Sequence, residues 1–248
     1  MTTERPVTSG LPTRVDTRNR SCYALPAMNM KALAYRCVPK PLINELRHRK
    51  HLRDLATAAE PEEAEVRRVI RKDDTVLDIG ANFGVFTKLF SQLVGPQGSV
   101  IAFEPVPLTF RTLAAGVKRY RRSNVQTMNK AVSDHVGPVF MVVPQYEESL
   151  GDNLYQASIV HSAEAPETFS IEAITIDSLR LPRVDFMKID VEGHELEVLH
   201  GSRQTLERHH PTLMVEVTSS RTVEYLCGEM GYGTPLTVSP SNQLFVYA

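Results

Sequence analysis

A glycine-containing segment is the first place in this chain where residue types and spacing point to chemistry. It reads Asp-x-Gly-x-Asn-x-Gly from Asp78 to Gly84 and follows an apolar run. Glycines at a strand-to-helix turn let the backbone approach a ligand closely, and the helix start offers free N–H groups to a negative group. A dinucleotide-binding turn needs Gly-x-Gly-x-x-Gly. Asn82 and Val85 occupy its second and third glycine positions, which argues against an NAD-dependent dehydrogenase.

An acid follows the next apolar run along the chain. Glu104 comes 24 residues after Gly80, directly after the run SVIAF. An acid at the tip of a second strand is placed to accept hydrogen bonds from both hydroxyls of a ribose. The two segments together therefore predict a site for a cofactor that contains a nucleoside.

Short β-rich runs alternate with helical segments from residue 60 onward, and these elements must position the two motifs. The runs are TVLDI (75–79), SVIAF (99–103), NVQTM (124–128), VDFMKI (184–189) and TLMVEV (212–217). This alternation predicts an α/β fold with a parallel sheet covered on both faces. Residues 136–176 are interpreted as two strands joined by a polar loop, and residues 234–248 as a hairpin.

The ordered motifs resemble the FkbM family of S-adenosylmethionine-dependent class I methyltransferases. The resemblance covers residues 60–220 and rests on DIGANFG, FEP (103–105), NKAVSD (129–134), ITIDSL (174–179) and KIDVEGHE (188–195). It implies a Rossmann-like class I methyltransferase sheet, mostly parallel, with a C-terminal antiparallel hairpin and an N-terminal extension. It also implies O-methylation of a small polyhydroxylated metabolite. A sugar or oligosaccharide is favoured, and a polyketide or other secondary metabolite is the alternative.

The resemblance also implies which residues hold the cofactor. The residues expected to contact S-adenosylmethionine are Asp78, Gly80, Asn82, Gly84, Glu104, Pro105, Val106, Ala131, Ser133, Asp134 and Asp190. The glycine turn would hold the amino-acid and sulfonium end, Glu104 the ribose, and the residues from 105 to 134 the adenine. Asp190 would face the transferred methyl group.

Acids around Asp190 suit methyl transfer to a hydroxyl. An alcohol is a poor nucleophile, so either a base removes its proton, typically contributing about 10²–10⁴-fold, or a metal lowers its pKa. Asp190, Glu192 and His194 are the candidate catalytic residues; helix-terminal charge is the alternative for Glu192, and helix capping for His194. Asp190 and Glu216, on adjacent strand tips, are the candidate ligands of Mg²⁺.

The polar loop at residues 145–168 is the candidate acceptor lid, because long loops inside compact domains are often functional. Its Asp152, Asn153, Tyr155 and His161 are the polar and aromatic groups that a carbohydrate site uses. An ordinary surface loop is the alternative.

Charge is distributed unevenly, although the formal net charge is only -1. Residues 1–53 hold 11 Lys or Arg, three acids and five prolines. This composition predicts a basic, partly disordered extension over residues 1–55, with short helices within 20–53, followed by a methyltransferase domain over 56–248. The extension is expected to cover the acceptor site or to form a homodimer arm.

Composition also limits the protein's location and partners. Three scattered cysteines, no apolar run of about 20 residues and no apolar segment after the N-terminal charges predict a cytoplasmic protein without membrane association. Near-neutral charge disfavours a nucleic-acid partner. A nucleic-acid methyltransferase is also disfavoured because the fourth principal strand ends in Asp-Val-Glu-Gly, not in Asn or Asp followed by Pro-Pro and an aromatic. The intact acids argue against an inactive interaction subunit.

Overall fold

The structure is a computed structural model that describes residues 39–143, 157–160 and 168–248. Its α-helices are α1 (Lys40–Asp54), α2 (Glu63–Val69), α3 (Val85–Val94), α4 (Pro107–Arg119), α5 (Glu195–His200), α6 (Arg203–His209) and α7 (Ser220–Glu224). Its strands are β1 (Thr75–Ile79), β2 (Ser99–Phe103), β3 (Val125–Met128), β4 (Ala131–Val132), β5 (Gly137–Val142), β6 (Ser158–Val160), β7 (Thr168–Ile174), β8 (Phe186–Ile189), β9 (Thr212–Glu216), β10 (Leu236–Thr237) and β11 (Asn242–Phe245).

The expected Rossmann-like sheet is present, and the predicted fold class is confirmed. Seven strands are ordered β10-β11-β9-β8-β1-β2-β3. The strands from β9 to β3 are mutually parallel, whereas β11 and β10 form the antiparallel hairpin at one edge. The order reverses between β1 and β8, and ligands of open α/β sheets bind outside the carboxyl ends of the strands at such a point.

Alternating strand residues fill two cores, one on each face of this sheet. On one face, Leu77 and Ile189 pack with residues of α5 and α6. On the other face, Val76 and Phe186 pack with residues of α2 and α3, including Phe90. Successive side chains of a strand point to opposite faces, so each strand contributes to both cores. Packing on both faces fixes the positions of the strand ends that carry the motifs.

A second sheet, ordered β4-β7-β5-β6, was predicted only in part. β5 and β7 are the two strands expected between residues 136 and 176, and they pair antiparallel. Apolar side chains of this sheet, including Met141, pack against Phe83 and Val106. The second sheet therefore lies beside the tip of β2, where a nucleoside is expected.

The helix α1 packs against the domain although it belongs to the predicted extension. The Nδ1 atom of His48 lies 2.7 Å from the Thr112 hydroxyl on α4. Lys88 on α3 donates to the Leu55 and Ala56 carbonyls, both at 2.8 Å. Helix α1 therefore contacts the domain that follows it, and the division of the chain at residue 55 stays a prediction. The predicted disorder and dimer contacts of residues 1–38 lie outside the described residues.

The C-terminal hairpin brings one polar side chain to the functional edge of the sheet. β11 pairs antiparallel with β9, so that Asn242 at its start lies opposite Glu216 at the end of β9. No helix among the described residues is both long enough and apolar enough to cross a bilayer.

Candidate functional site

The glycine turn after β1 joins the ends of three strands. The Gly80 and Ala81 amides donate to the Phe103 carbonyl at the end of β2, at 3.1 and 2.9 Å. Gly80 has φ +81°, and a Cβ there would lie 1.8 Å from the Asp190 carbonyl oxygen after β8. Only glycine fits such a position, because it has no side chain and tolerates positive φ. Gly80 was predicted to let a ligand approach the backbone, and it is also required for the turn to pack against Asp190.

Glu104 is buried at the tip of β2 with both carboxylate oxygens occupied. Its Oε2 accepts from the backbone N–H of Asn82 and its Oε1 from the backbone N–H of Val106, each at 2.8 Å. Burial raises the pKa of Glu104 to about 7, despite these two amides, which favour the ionised form. A carboxylate oxygen has further lone pairs, so the group can also accept hydrogen bonds from a ligand.

A cavity of about 210 Å³ opens between this edge and the second sheet. It is lined by Ile79, Gly80, Asn82, Phe103, Glu104, Pro105, Val106, Lys130, Ala131, Val132, Met141, Ala157, Ile159, Asp190, Val191, Glu192 and Glu216. The structure thus brings most of the predicted cofactor residues to one cavity with the predicted catalytic acids. We call it the first cavity.

A buried lysine, which the sequence analysis did not single out, organises the acids. Lys188 is 2% exposed, and its Nζ donates to Asp190 Oδ2 at 2.7 Å. Burial alone would lower the pKa of Lys188, but the carboxylates of Asp190, Asp78 and Glu216 raise it overall. Burial opposes ionisation of Asp190 as well, yet the adjacent ammonium group lowers the Asp190 pKa. Lys188 and Asp190 therefore form a charged pair at the end of β8.

Glu192 and Glu216 complete a group of three carboxylates with Asp190. One oxygen from each lies within 4.8 Å of the others. Burial and the nearby Asp190 carboxylate raise the pKa of Glu216 to about 7 and also raise that of Glu192. Oxygen ligands of this kind suit Mg²⁺, although Lys188 already contacts one Asp190 oxygen. The group can either accept a proton or hold a hard cation.

Asp78 lies below the glycine turn and is fully buried. Its Oδ2 accepts from the Thr87 hydroxyl at 2.5 Å, whereas its Oδ1 has no hydrogen-bond partner among the described residues. Burial raises the pKa of Asp78. Asp78 lines a second cavity, of about 510 Å³, which meets the first at Gly80, Asn82 and Asp190. We call this the second cavity.

Four predicted site residues are not among the described residues that line either cavity. Gly84 precedes α3 with φ +91°, and a Cβ there would lie 2.6 Å from the Leu113 side chain. Ser133 is fully buried, its hydroxyl lies 2.9 Å from His194 Nε2, and it donates to Asp134 at 3.1 Å. Burial lowers the pKa of His194. Catalysis by His194 stays a prediction, without direct access from either cavity.

The adenine side of the predicted site differs in part from the prediction, and the predicted acceptor residues are not among those described. Ala131 and Val132, rather than Ser133 and Asp134, line the first cavity on its expected adenine side. The predicted acceptor residues Asp152, Asn153, Tyr155 and His161 lie outside the described residues.

A family model described as "Methyltransferase FkbM domain" matches residues 78–230, more than half of the chain. The chain belongs to the FkbM methyltransferase family. The predicted resemblance is thereby confirmed, and the matched region contains the glycine turn, Glu104, Asp190 after β8 and Glu216 at the end of β9.

Several known proteins are similar to this FkbM-family chain. Hexuronic acid methyltransferase AglP of Haloferax volcanii is 29% identical over 140 residues, covering 55% of this chain and 53% of that protein. The 31-O-demethyl-FK506 methyltransferase FkbM of Streptomyces tacrolimicus is 43% identical over 159 residues, covering 53% and 60%. The chain therefore spans little more than half the length of these relatives. The crystal structure of methyltransferase FkbM from Methylobacillus flagellatus KT shares the fold, with TM-score 0.52, 16% identity and coverage of 81% of this chain and 59% of that one.

Proposed function

We propose that this chain is an S-adenosylmethionine-dependent O-methyltransferase that acts on a hydroxyl of a small polyhydroxylated metabolite, with a sugar or oligosaccharide favoured. One observation carries the proposal: the first cavity joins the glycine turn and Glu104 to the carboxylates of Asp190, Glu192 and Glu216. The nucleoside half and the reacting half of a methyl-transfer site are thus adjacent.

The residues of the first cavity fit S-adenosylmethionine. The Glu104 carboxylate lies at the tip of β2, where it would accept from ribose hydroxyls, and Val106 and Val132 offer apolar surface for the adenine. The cofactor would supply a methyl group on a positively charged sulfur, so that a carbon–oxygen bond forms as the carbon–sulfur bond breaks. Alignment of the reacting atoms supplies up to about 7–11 kcal/mol of such a barrier.

The chain's own acids would deal with the acceptor proton. Asp190 is held by Lys188 at the boundary of the two cavities, where it would orient the acceptor hydroxyl. Glu192 and Glu216 each have an oxygen within 4.8 Å of an Asp190 oxygen, and they would receive the proton of the same hydroxyl. His194 lines neither cavity and would act only as a positioning residue, through its contact with Ser133.

A first experiment is calorimetric titration of the purified protein with S-adenosylhomocysteine, with NAD⁺ as the control. The chain contains no tryptophan, so heat is a better signal than intrinsic tryptophan fluorescence. We expect micromolar binding of S-adenosylhomocysteine and no binding of NAD⁺. Binding of NAD⁺ alone, or of neither compound, would contradict the proposed cofactor.

A magnesium ion is the second way to activate the acceptor hydroxyl. Asp190, Glu192 and Glu216 would be its protein ligands, and it would lower the hydroxyl pKa. Methyl transfer that EDTA abolishes and Mg²⁺ restores would support this alternative. Activity that fully resists EDTA would leave the carboxylates as the proton acceptors.

A further inference from the structure

The second cavity has a wall that the cofactor does not account for. At about 510 Å³, the cavity lies within the range of about 300–1,000 Å³ that is usual for ligand pockets. Its lining includes Lys50 and Asp54 of α1, Ala58, Glu60 and Glu62 of the connection that follows, and Asn242 of β11. Asp190, where the methyl group would be transferred, lies at its junction with the first cavity.

The charges in this wall do not balance. Lys50 pairs with Asp54 at 3.0 Å, and Lys188 pairs with Asp190 at 2.7 Å. Glu60 and Glu62 form no salt bridge within the described part of the chain. Burial, with the neighbouring Glu62 and Asp190 carboxylates, raises the pKa of Glu60. The wall is therefore electronegative beyond what its own cations neutralise.

The same wall contains hydrogen-bond acceptors without donors. Asp78 is fully buried, and its Oδ1 has no partner among the described residues; the same holds for Asn82 Oδ1 and Asn242 Oδ1. The Asn242 amide group donates to Glu62 Oε1 at 3.0 Å, which leaves its oxygen as the unpaired atom. Buried polar atoms are rarely left unpaired in folded proteins. Asp78 and Asn82 belong to the turn that is expected to hold the amino-acid end of the cofactor. The Asn242 oxygen, together with the Glu60 and Glu62 carboxylates, is therefore what indicates a further ligand rich in donors.

We infer that the second cavity binds the methyl acceptor beneath α1, and that the acceptor is a hydroxylated molecule bearing an amine, such as an amino sugar. This inference rests on the proposed function and names the substrate class for it. Hydroxyl and ammonium groups supply the missing donors, whereas a carboxylate or phosphate would face like charges. Hexuronic acids carry a carboxylate, so the inference separates this chain from AglP, a hexuronic acid methyltransferase by name.

Two neighbouring alanines allow a matched steric test. Ala58 and Ala59 are both exposed in the connection between α1 and α2, but only Ala58 lines the second cavity. The test titrates protein saturated with S-adenosylhomocysteine with methyl glucosaminide, methyl glucoside and methyl glucuronide. We expect the glucosaminide to bind at least about tenfold more tightly than the glucuronide. Ala58→Trp should weaken glucosaminide binding by about tenfold or more, and Ala59→Trp by less than about twofold.

A charge variant tests the cause of the preference. Glu60→Gln removes an unpaired carboxylate from the wall, and Glu65→Gln on α2 is the matched control outside both cavities. We expect Glu60→Gln to narrow the preference for glucosaminide over glucuronide severalfold and Glu65→Gln to leave it unchanged. Affinity for S-adenosylhomocysteine should stay within about threefold of wild type in all four variants.

The outcomes separate this inference from the proposed function. Glucuronide binding as tight as glucosaminide binding, failure of the glucosaminide to bind, or glucosaminide binding that Ala58→Trp leaves unchanged would overturn the inference while S-adenosylhomocysteine still binds. Failure of S-adenosylhomocysteine itself to bind would overturn both.

Discussion

Affinity for S-adenosylhomocysteine should depend on pH through Glu104. This carboxyl is buried, and its pKa is raised to about 7, so that it changes charge across the neutral range. The ribose hydroxyls donate hydrogen bonds, and an ionised carboxylate accepts them more strongly than a neutral carboxylic acid does. Ligand binding therefore favours the ionised form, and lowering the pH below 7 should weaken it.

The size of the effect follows from the pKa. A group with a pKa of about 7 is roughly 91% ionised at pH 8 and 9% ionised at pH 6, so the dissociation constant should rise about tenfold from pH 8 to pH 6 if only the ionised form binds. Glu104→Gln removes the charge and turns an amide N–H₂ toward the Asn82 or Val106 amide. Hydrogen bonds to charged groups contribute about 1.5–3 kcal/mol, so this variant should bind about 10–100-fold more weakly at pH 8.

Calorimetry at pH 6, 7 and 8 tests both parts of this prediction. Glu207→Gln on the exposed face of α6 is the matched control, because it removes a carboxylate far from both cavities. Wild type and Glu207→Gln should show the change of about tenfold, whereas Glu104→Gln should bind weakly and show a much smaller change with pH. Equal affinity of the wild type at pH 6 and pH 8 would refute the reasoning.

The same carboxyl should influence the stability of the free protein. Its folded-state pKa of about 7 lies above its ordinary value of 4.5, so the folded state binds the extra proton between these values. Its contribution to stability is therefore fully present below pH 4.5 and is lost as the pH rises through 7. A shift of this size corresponds to about 3 kcal/mol. Denaturation of Glu104→Gln should lack this component of the pH dependence.

Three further substitutions test other parts of the site. Gly80→Ala should reduce the free energy of unfolding by about 2–4 kcal/mol in urea denaturation, because the new Cβ would meet the Asp190 carbonyl. The same variant should no longer bind S-adenosylhomocysteine. Gly228→Ala is the control, because no atom lies within 4 Å of its Cβ position, and it should change the free energy of unfolding by less than about 0.5 kcal/mol. Lys188→Met should reduce the free energy of unfolding by about 3–5 kcal/mol at pH 8 in urea denaturation. The loss should be smaller at pH 6, because the carboxylates left without a cation take up protons. A loss of stability that does not depend on pH would contradict the charge argument. His194→Ala should lower kcat at least tenfold if the histidine supports catalysis through Ser133, and full turnover would remove it from the mechanism.

The central sheet was readable from the sequence because its strands are continuous apolar runs. β1 and β2 occupy the predicted ranges, and each is buried over four of its five residues. The two-residue strand β4 was not predicted, because it is too short to show any periodicity. Ala131 and Val132 become a strand only by pairing with Ala173 and Ile174, and distant pairing of this kind leaves no local signal.

The site residues at strand ends could be predicted from the sequence. The site residues placed by tertiary contacts could not. Gly80 and Glu104 were located from spacing, since each directly follows a strand. Lys188 was missed because a lysine inside an apolar strand looks like an exception. It lies two residues before Asp190, and that spacing puts both side chains on the same face of the strand. Glu60 carries no motif, and its place in the wall of the second cavity arises only from packing of the N-terminal segment.

Glu216 separates the two ways of activating the acceptor, because a metal and a proton compete for it. Lys188 lowers the Asp190 pKa, whereas burial and that same Asp190 charge raise the Glu216 pKa to about 7. Neighbouring carboxylates with pKa values pushed apart are typical of acid–base pairs. If Glu216 accepts the acceptor proton, kcat should resist EDTA and rise with pH through about 7, and Glu216→Gln should remove that rise. If Mg²⁺ holds Glu216 ionised, saturating Mg²⁺ should shift the rise below pH 7. A profile that neither EDTA nor Glu216→Gln changes would exclude this carboxylate from both roles.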